Sequence, residues 1–92
     1  MFVDPNAKKG YIYVIKCHDW YKIGKAFNIK ERLGALQTGN PYELEIVHSI
    51  KCNDYTLVEN RLHKRYAFHR GHGEWFKLPL DALNEVKMIH SM

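Results

Sequence analysis

Tyr11-Ile12-Tyr13-Val14-Ile15-Lys16, then Cys17-His18-Asp19-Trp20, then Tyr21-Lys22-Ile23-Gly24-Lys25: two β-branched and aromatic runs stand on either side of a short polar turn. Such runs favour extended backbone, and their close spacing folds them into an antiparallel hairpin. If His18 and Asp19 form a two-residue turn, Tyr13 lies opposite Gly24 and Ile15 opposite Lys22. Strand alternation then places Tyr11, Tyr13, Lys22 and Gly24 on one face, with open space over Gly24 beside the Tyr13 ring. A slip of one residue would carry Lys22 to the other face.

Working outward, Asn28 with Glu31 three residues later is a capping-box variant. The helix it opens carries Ile29, Leu33 and Leu36 on its apolar side, has Arg32 at the border of that stripe, and stops near Gly39. Glu43–Lys51 reads as a third strand, expected at the centre of the sheet because of its length and apolar content. Asp54 caps a helix running to Tyr66, with Tyr55, Val58, Leu62 and Tyr66 on one stripe at about 100° per residue. Gly73–Phe76 is a short extended piece, expected to pack Trp75 and Phe76 under the sheet. Pro79 suits the first turn of a last helix, with Leu80, Leu83, Val86 and Ile89 facing inward. The order ββαβαα, with a short strand near residue 75, is α+β: a small, mostly antiparallel three-stranded sheet flanked by helices. Residues 1–9 read as a polar leader that frays, and 10–92 as one domain.

Glu59 falls inside the apolar stripe of its helix, with His63 at the edge. A carboxylate taken out of water is costly unless it is paired or binds a metal. Either a cation at the core margin or a metal ion is therefore expected beside it. The 92 residues carry a formal charge of +4, which favours an anionic partner, nucleic acid foremost. The chain opens without the basic-then-apolar pattern of a signal peptide, and its apolar runs are too short to span a membrane. Cys17 and Cys52 are accordingly expected as reduced thiols of a cytoplasmic protein. Cys17, His18, His48 and Cys52 match no common zinc spacing, nor do His63, His69 and His72.

Six features in order resemble the GIY-YIG nuclease superfamily: Tyr11-Ile12-Tyr13, Lys22-Ile23-Gly24, Arg32 on the following helix, Thr38–Pro41 (Thr-Gly-Asn-Pro), Glu59 with His63, and Gly73–Phe76 (Gly-Glu-Trp-Phe). They look most similar to a phage and bacterial branch associated with the meiotically up-regulated protein, which reads Lys-Ile-Gly at the second motif. The similarity covers roughly residues 10–78. Lys22 replaces the first Tyr of the second motif, and a late Asn of many members has no clear equivalent; Glu74 lies nearest.

The resemblance implies an endonuclease that hydrolyses DNA, with RNA an open alternative, in a bacterial or phage-infected cell. It implies one Mg²⁺ or Mn²⁺ held by Glu59; magnesium keeps several waters and needs few carboxylates. Tyr13 becomes the general base or water orienter, its phenol pKa expected to be lowered by Lys22, Lys25 and Arg32. Arg32 offers a planar fork to the scissile phosphate. Lys22 positions phosphate, His63 assists proton transfer or orients water, and Tyr11 supports Tyr13 or packs in the core. Lys25, Arg61, Lys64, Arg65 and Arg70 are candidates for tracking the nucleic-acid backbone. Without an attached DNA-binding domain, specificity would come from substrate structure, a recruiting partner or self-association. Two other readings stay open: an inactive nucleic-acid-binding module, and a protein–protein adaptor or inhibitor.

Overall fold

A computed structural model describes residues 7–92. The hairpin forms in the expected register: β1 (Gly10–Cys17) and β2 (Trp20–Ala26) place Tyr13 opposite Gly24 and Ile15 opposite Lys22. His18 takes a φ of 54°, the positive value that a tight hairpin turn requires at its first central residue. Residues 1–6 of the expected leader lie outside the described residues. Lys8 is tied down, its carbonyl accepting a 2.9 Å hydrogen bond from the Tyr55 N–H.

The sheet has four antiparallel strands in the order β3-β1-β2-β4. β3 (Glu45–Cys52) is therefore an edge strand, not the central one. The centre falls to β1, where Ile12, Tyr13, Val14 and Ile15 are all buried in succession, the mark of a strand covered on both faces. The end of the outer edge of β3 is covered by residues 90–92: Lys51 N–H donates to the His90 carbonyl at 3.1 Å, and Met92 N–H to the Lys51 carbonyl at 2.9 Å. The piece near residue 75 joins the sheet as its fourth strand, β4 (Trp75–Phe76), pairing with Tyr21 and Lys22.

Helices cover both faces. α2 (Tyr55–Arg65) and α3 (Leu80–Lys87) pack Val58, Leu62, Leu83 and Val86 onto Ile12, Val14, Ile23 and Ile50. α1 (Ile29–Thr38) lays Ile29, Leu33 and Leu36 on the opposite face, against Tyr13, Ile15, Ala26 and Leu44. Asn28 and Asp54 cap α1 and α2 as read, accepting from the N–H groups of Glu31 and Leu57 at 3.0 and 3.3 Å. Two packing expectations fail. Phe76 joins the α2/α3 core while Trp75 packs on the α1 side, because neighbours in a strand point to opposite faces. Leu80 is 73% exposed: the stripe of α3 is carried by Ala82, Leu83, Val86 and Ile89, and Leu80 stands roughly 130° from its centre. Among the described residues no helix is long and apolar enough to cross a membrane.

α2 and α3 are also joined by a polar clamp. Arg65 Nη2 donates to Glu85 Oε2 at 2.8 Å, and the Tyr66 hydroxyl donates to Glu85 Oε1 at 2.6 Å. These bonds hold the Glu85 carboxyl down at about 2, below its ordinary 4.5. A group lowered on folding stabilises fully above its unfolded pKa and loses that contribution as pH falls through the folded value. The clamp is therefore expected to weaken between about pH 4.5 and 2. Acid titration of the melting temperature should show this, with the Glu85→Gln variant lacking that part of the acid dependence.

Candidate functional site

β4 is only two residues long, so it covers β2 at Tyr21 and Lys22 and leaves Ile23 onward, paired with β1 on one side, without a strand partner on the other. Two other groups complete that edge. Ile23 N–H donates to the Glu74 carbonyl at 3.1 Å, and the Ile23 carbonyl accepts from His63 Nε2 at 2.7 Å. A ring nitrogen facing a carbonyl must carry the proton, so in a neutral ring Nδ1 is left as the lone-pair atom. α2 is thereby fixed along the open part of β2, with Glu59 one turn before His63.

This edge gathers an acidic and imidazole cluster: donor atoms of Glu59, His63 and Glu74 all lie within 4.8 Å of one another. Glu59 is 9% exposed. Among the described residues no Lys, Arg or His nitrogen stands within 4.0 Å of its carboxylate, so the ordinary cation partner is missing. Burial, then the charge of Glu74, push the Glu59 pKa up, while His63, Lys25 and Lys22 act against the rise. Lys22 pairs with Glu74 at 3.3 Å. Glu74 is the member that sequence reasoning left undecided; its signal was the Gly-Glu-Trp-Phe motif, which only the return of β4 to the hairpin brings alongside Glu59.

Tyr13 approaches the same region from the α1 side of the sheet. Its ring crosses directly over Gly24: a Cβ built on Gly24 would collide with the Tyr13 hydroxyl and ring. The absent side chain is what lets the phenol pass over β2. Tyr13 is 2% exposed, and its pKa is raised to about 12. Burial is the main cause, followed by the charge of Glu74; Arg32 opposes and Glu59 adds to the rise. The expectation that nearby cations would lower this pKa is thus overturned, because burial and two carboxylates outweigh them.

Arg32 lies on the exposed side of α1, near enough for its charge to act on Tyr13, and no carboxylate among the described residues lies within 4.0 Å of its guanidinium. Lys25 Nζ donates to Thr56 Oγ1 at 3.1 Å and stands 5.3 Å from the Tyr55 ring centroid, at the start of α2. Tyr11, opposite Ala26, is 37% exposed and does not enter the core. Of the remaining cations, Arg61 and Lys64 are exposed on α2. Arg65 is engaged by Glu85, and Arg70 Nε donates to the Gly73 carbonyl at 2.6 Å, bracing the turn that presents Glu74.

Two carboxylates and an imidazole form a donor set suited to a divalent cation, and such a counterion would offset the burial of the unpaired Glu59 carboxylate. Around it stand a protonated phenol and the cations Lys22, Lys25 and Arg32. The fold and this cluster together define a small α+β protein with a polar site built at an open sheet edge. Residues 10–89 match the T5orf172 domain, and the chain belongs to that family. Membership is compatible with a nuclease-like or DNA-binding function. No curated protein and no solved structure matches the chain.

Proposed function

We propose that the protein is a metal-dependent endonuclease of the GIY-YIG kind that hydrolyses phosphodiester bonds in DNA. The observation that carries this reading is the buried Glu59 carboxylate, without a cation partner and within 4.8 Å of donor atoms of His63 and Glu74. Glu59 would hold Mg²⁺ or Mn²⁺, with Glu74 and His63 as further donors. When bound, such an ion polarises a phosphoryl oxygen and makes water a better nucleophile near neutral pH. The chain's own groups do the rest. Arg32 clamps the phosphate and neutralises the charge that builds on it. Lys22 and Lys25 place the strand. Tyr13 keeps its proton at neutral pH and orients the attacking water as a hydrogen-bond donor and acceptor, and Tyr11 borders the same strand.

The pH profile tests this assignment. Glu59 must be ionised to bind metal, so activity is expected to fall on the acid side as pH drops through its raised pKa, above the ordinary 4.5. Tyr13, with a pKa of about 12, adds no rise between pH 7 and 9 if it orients water as the phenol. Tyr13→Phe should nonetheless lower kcat by about 10²-fold or more. A rate that climbs tenfold per pH unit through that range in wild type, and not in Tyr13→Phe, would make Tyr13 the base instead.

His63 gives a second test. Imidazole suits transition metals better than magnesium, so Mn²⁺ should bind more tightly than Mg²⁺. Calorimetric titration should show that preference shrinking in His63→Ala. The overall reading is tested by nicking of supercoiled plasmid with Mg²⁺, Mn²⁺ or EDTA. DNA binding without cleavage under either metal would favour the inactive binding module, a reading that the Lys22–Glu74 ion pair supports.

A further inference from the structure

Beside the acidic cluster, at the turn end of the hairpin, lies a cleft of about 390 Å³. That volume is in the range of small-molecule sites, roughly 300–1,000 Å³. Its walls are Trp20, Trp75 and Tyr42, with His18, His72 and Asn40 at their margins, and no acidic residue lines it. Trp20 is 38% and Tyr42 56% exposed, so these are aromatic surfaces presented to solvent rather than core.

The walls are held in place. Trp20 packs against Gly71, where a Cβ would strike its ring, and Lys77 Nζ stands 6.0 Å from its centroid. The Tyr42 ring meets His18 edge-on at 4.6 Å between centroids, and its backbone N–H is fixed by Asn40 Oδ1 at 2.9 Å. Trp75 is anchored by its pairing with Lys22 in the sheet. Rigid, exposed aromatics lose little entropy when a flat ring stacks on them. The Trp75 wall also stands next to the proposed active site. Lys22 Nζ is 5.5 Å from the Trp75 ring centroid and 3.3 Å from the Glu74 carboxylate. One ammonium group therefore separates the aromatic wall from the cluster.

We propose that this cleft takes an unpaired nucleobase next to the scissile phosphate, so that the enzyme acts on single-stranded or locally opened strands; this rests on the nuclease reading above. Stacking on an aromatic side chain needs a free base face, which a base inside a duplex does not offer. The Asn40 side-chain amide and the His18 and His72 rings supply polar atoms for base edges. Lys22 and Lys77 supply the positive charge that an anionic strand requires.

The test uses the full chain in EDTA, so that nothing is cut, and fluorescence anisotropy of three labelled oligonucleotides: a single strand, the same strand with abasic sites, and its duplex. Wild type should bind the intact single strand about 10-fold more tightly than the abasic one, as loss of a stacked base implies. Tyr42→Ala should remove most of that difference, and Tyr42→Phe should keep it. Equal affinity for intact and abasic strands, or preference for the duplex, overturns the cleft proposal and leaves plasmid nicking as the separate judge of the nuclease. Failure to bind any of the three also overturns the cleft proposal, while nicking with Mg²⁺ or Mn²⁺ still decides the nuclease reading. Self-association abolished by Tyr42→Ala, with strand binding unchanged, assigns the cleft to a second copy instead.

Discussion

Glu59→Gln is expected to abolish metal-dependent nicking while the melting temperature holds or rises. The activity side follows from loss of the anionic ligand. Metal-borne charge stabilisation is worth several kcal/mol, so the rate should drop on the order of 10³-fold. The stability side follows from the sign of the pKa shift. Burial and Glu74 raise the Glu59 carboxyl above 4.5, which means the folded state binds its proton more tightly than the unfolded state. The contribution of Glu59 to stability is then greatest at acid pH and declines as pH rises from 4.5 through its raised pKa. At neutral pH the charge is a burden on the fold, and the neutral amide of nearly the same shape removes it. Adding Mn²⁺ should raise the melting temperature of wild type and not of the variant. A variant that loses activity together with several degrees of stability would point to a structural carboxylate instead.

Gly24→Ala is the second large effect expected. The new methyl would meet the Tyr13 hydroxyl and ring at distances that side chains do not tolerate, and Tyr13 is enclosed on the α1 face of the sheet. Overpacking of this kind costs about 1–3 kcal/mol. Displacing the phenol by even an ångström should cost roughly 10²-fold in rate. Denaturant unfolding and plasmid nicking read the two separately. The stability penalty should shrink when Gly24→Ala is combined with Tyr13→Phe, because the hydroxyl is the nearest atom to the new methyl. Additive losses in the double variant would place the strain elsewhere.

Both effects trace to features that local sequence rules made readable. A four-residue gap between two β-branched runs leaves few hairpin registers, and period-2 alternation then puts Gly24 under Tyr13. The α2 stripe likewise exposed Glu59 as a carboxylate out of place. What could not be read depended on contacts between distant segments. Length and apolarity suggested β3 as the centre, but strand order is set by which faces the helices cover, and the unbroken run Ile12–Ile15 was the better sign. Glu74 reaches the cluster only because β4 comes back to pair with Lys22. The rise in the Tyr13 pKa had the same hidden source, since its causes are burial and that same Glu74. Counting nearby lysines and arginines along the sequence gave the opposite sign.

The cover that residues 90–92 place over the end of β3 bears on how the protein behaves when concentrated. A bare edge strand is a template for pairing with another chain, and strand-to-strand growth is the usual route to aggregation. Here the polar backbone of Lys51 is already spent on His90 and Met92, and the opposite edge of the sheet is capped by a two-residue strand, a glutamate carbonyl and a histidine ring. Removing residues 90–92 should leave the chemistry in place and make the protein precipitate at concentrations that the full chain tolerates.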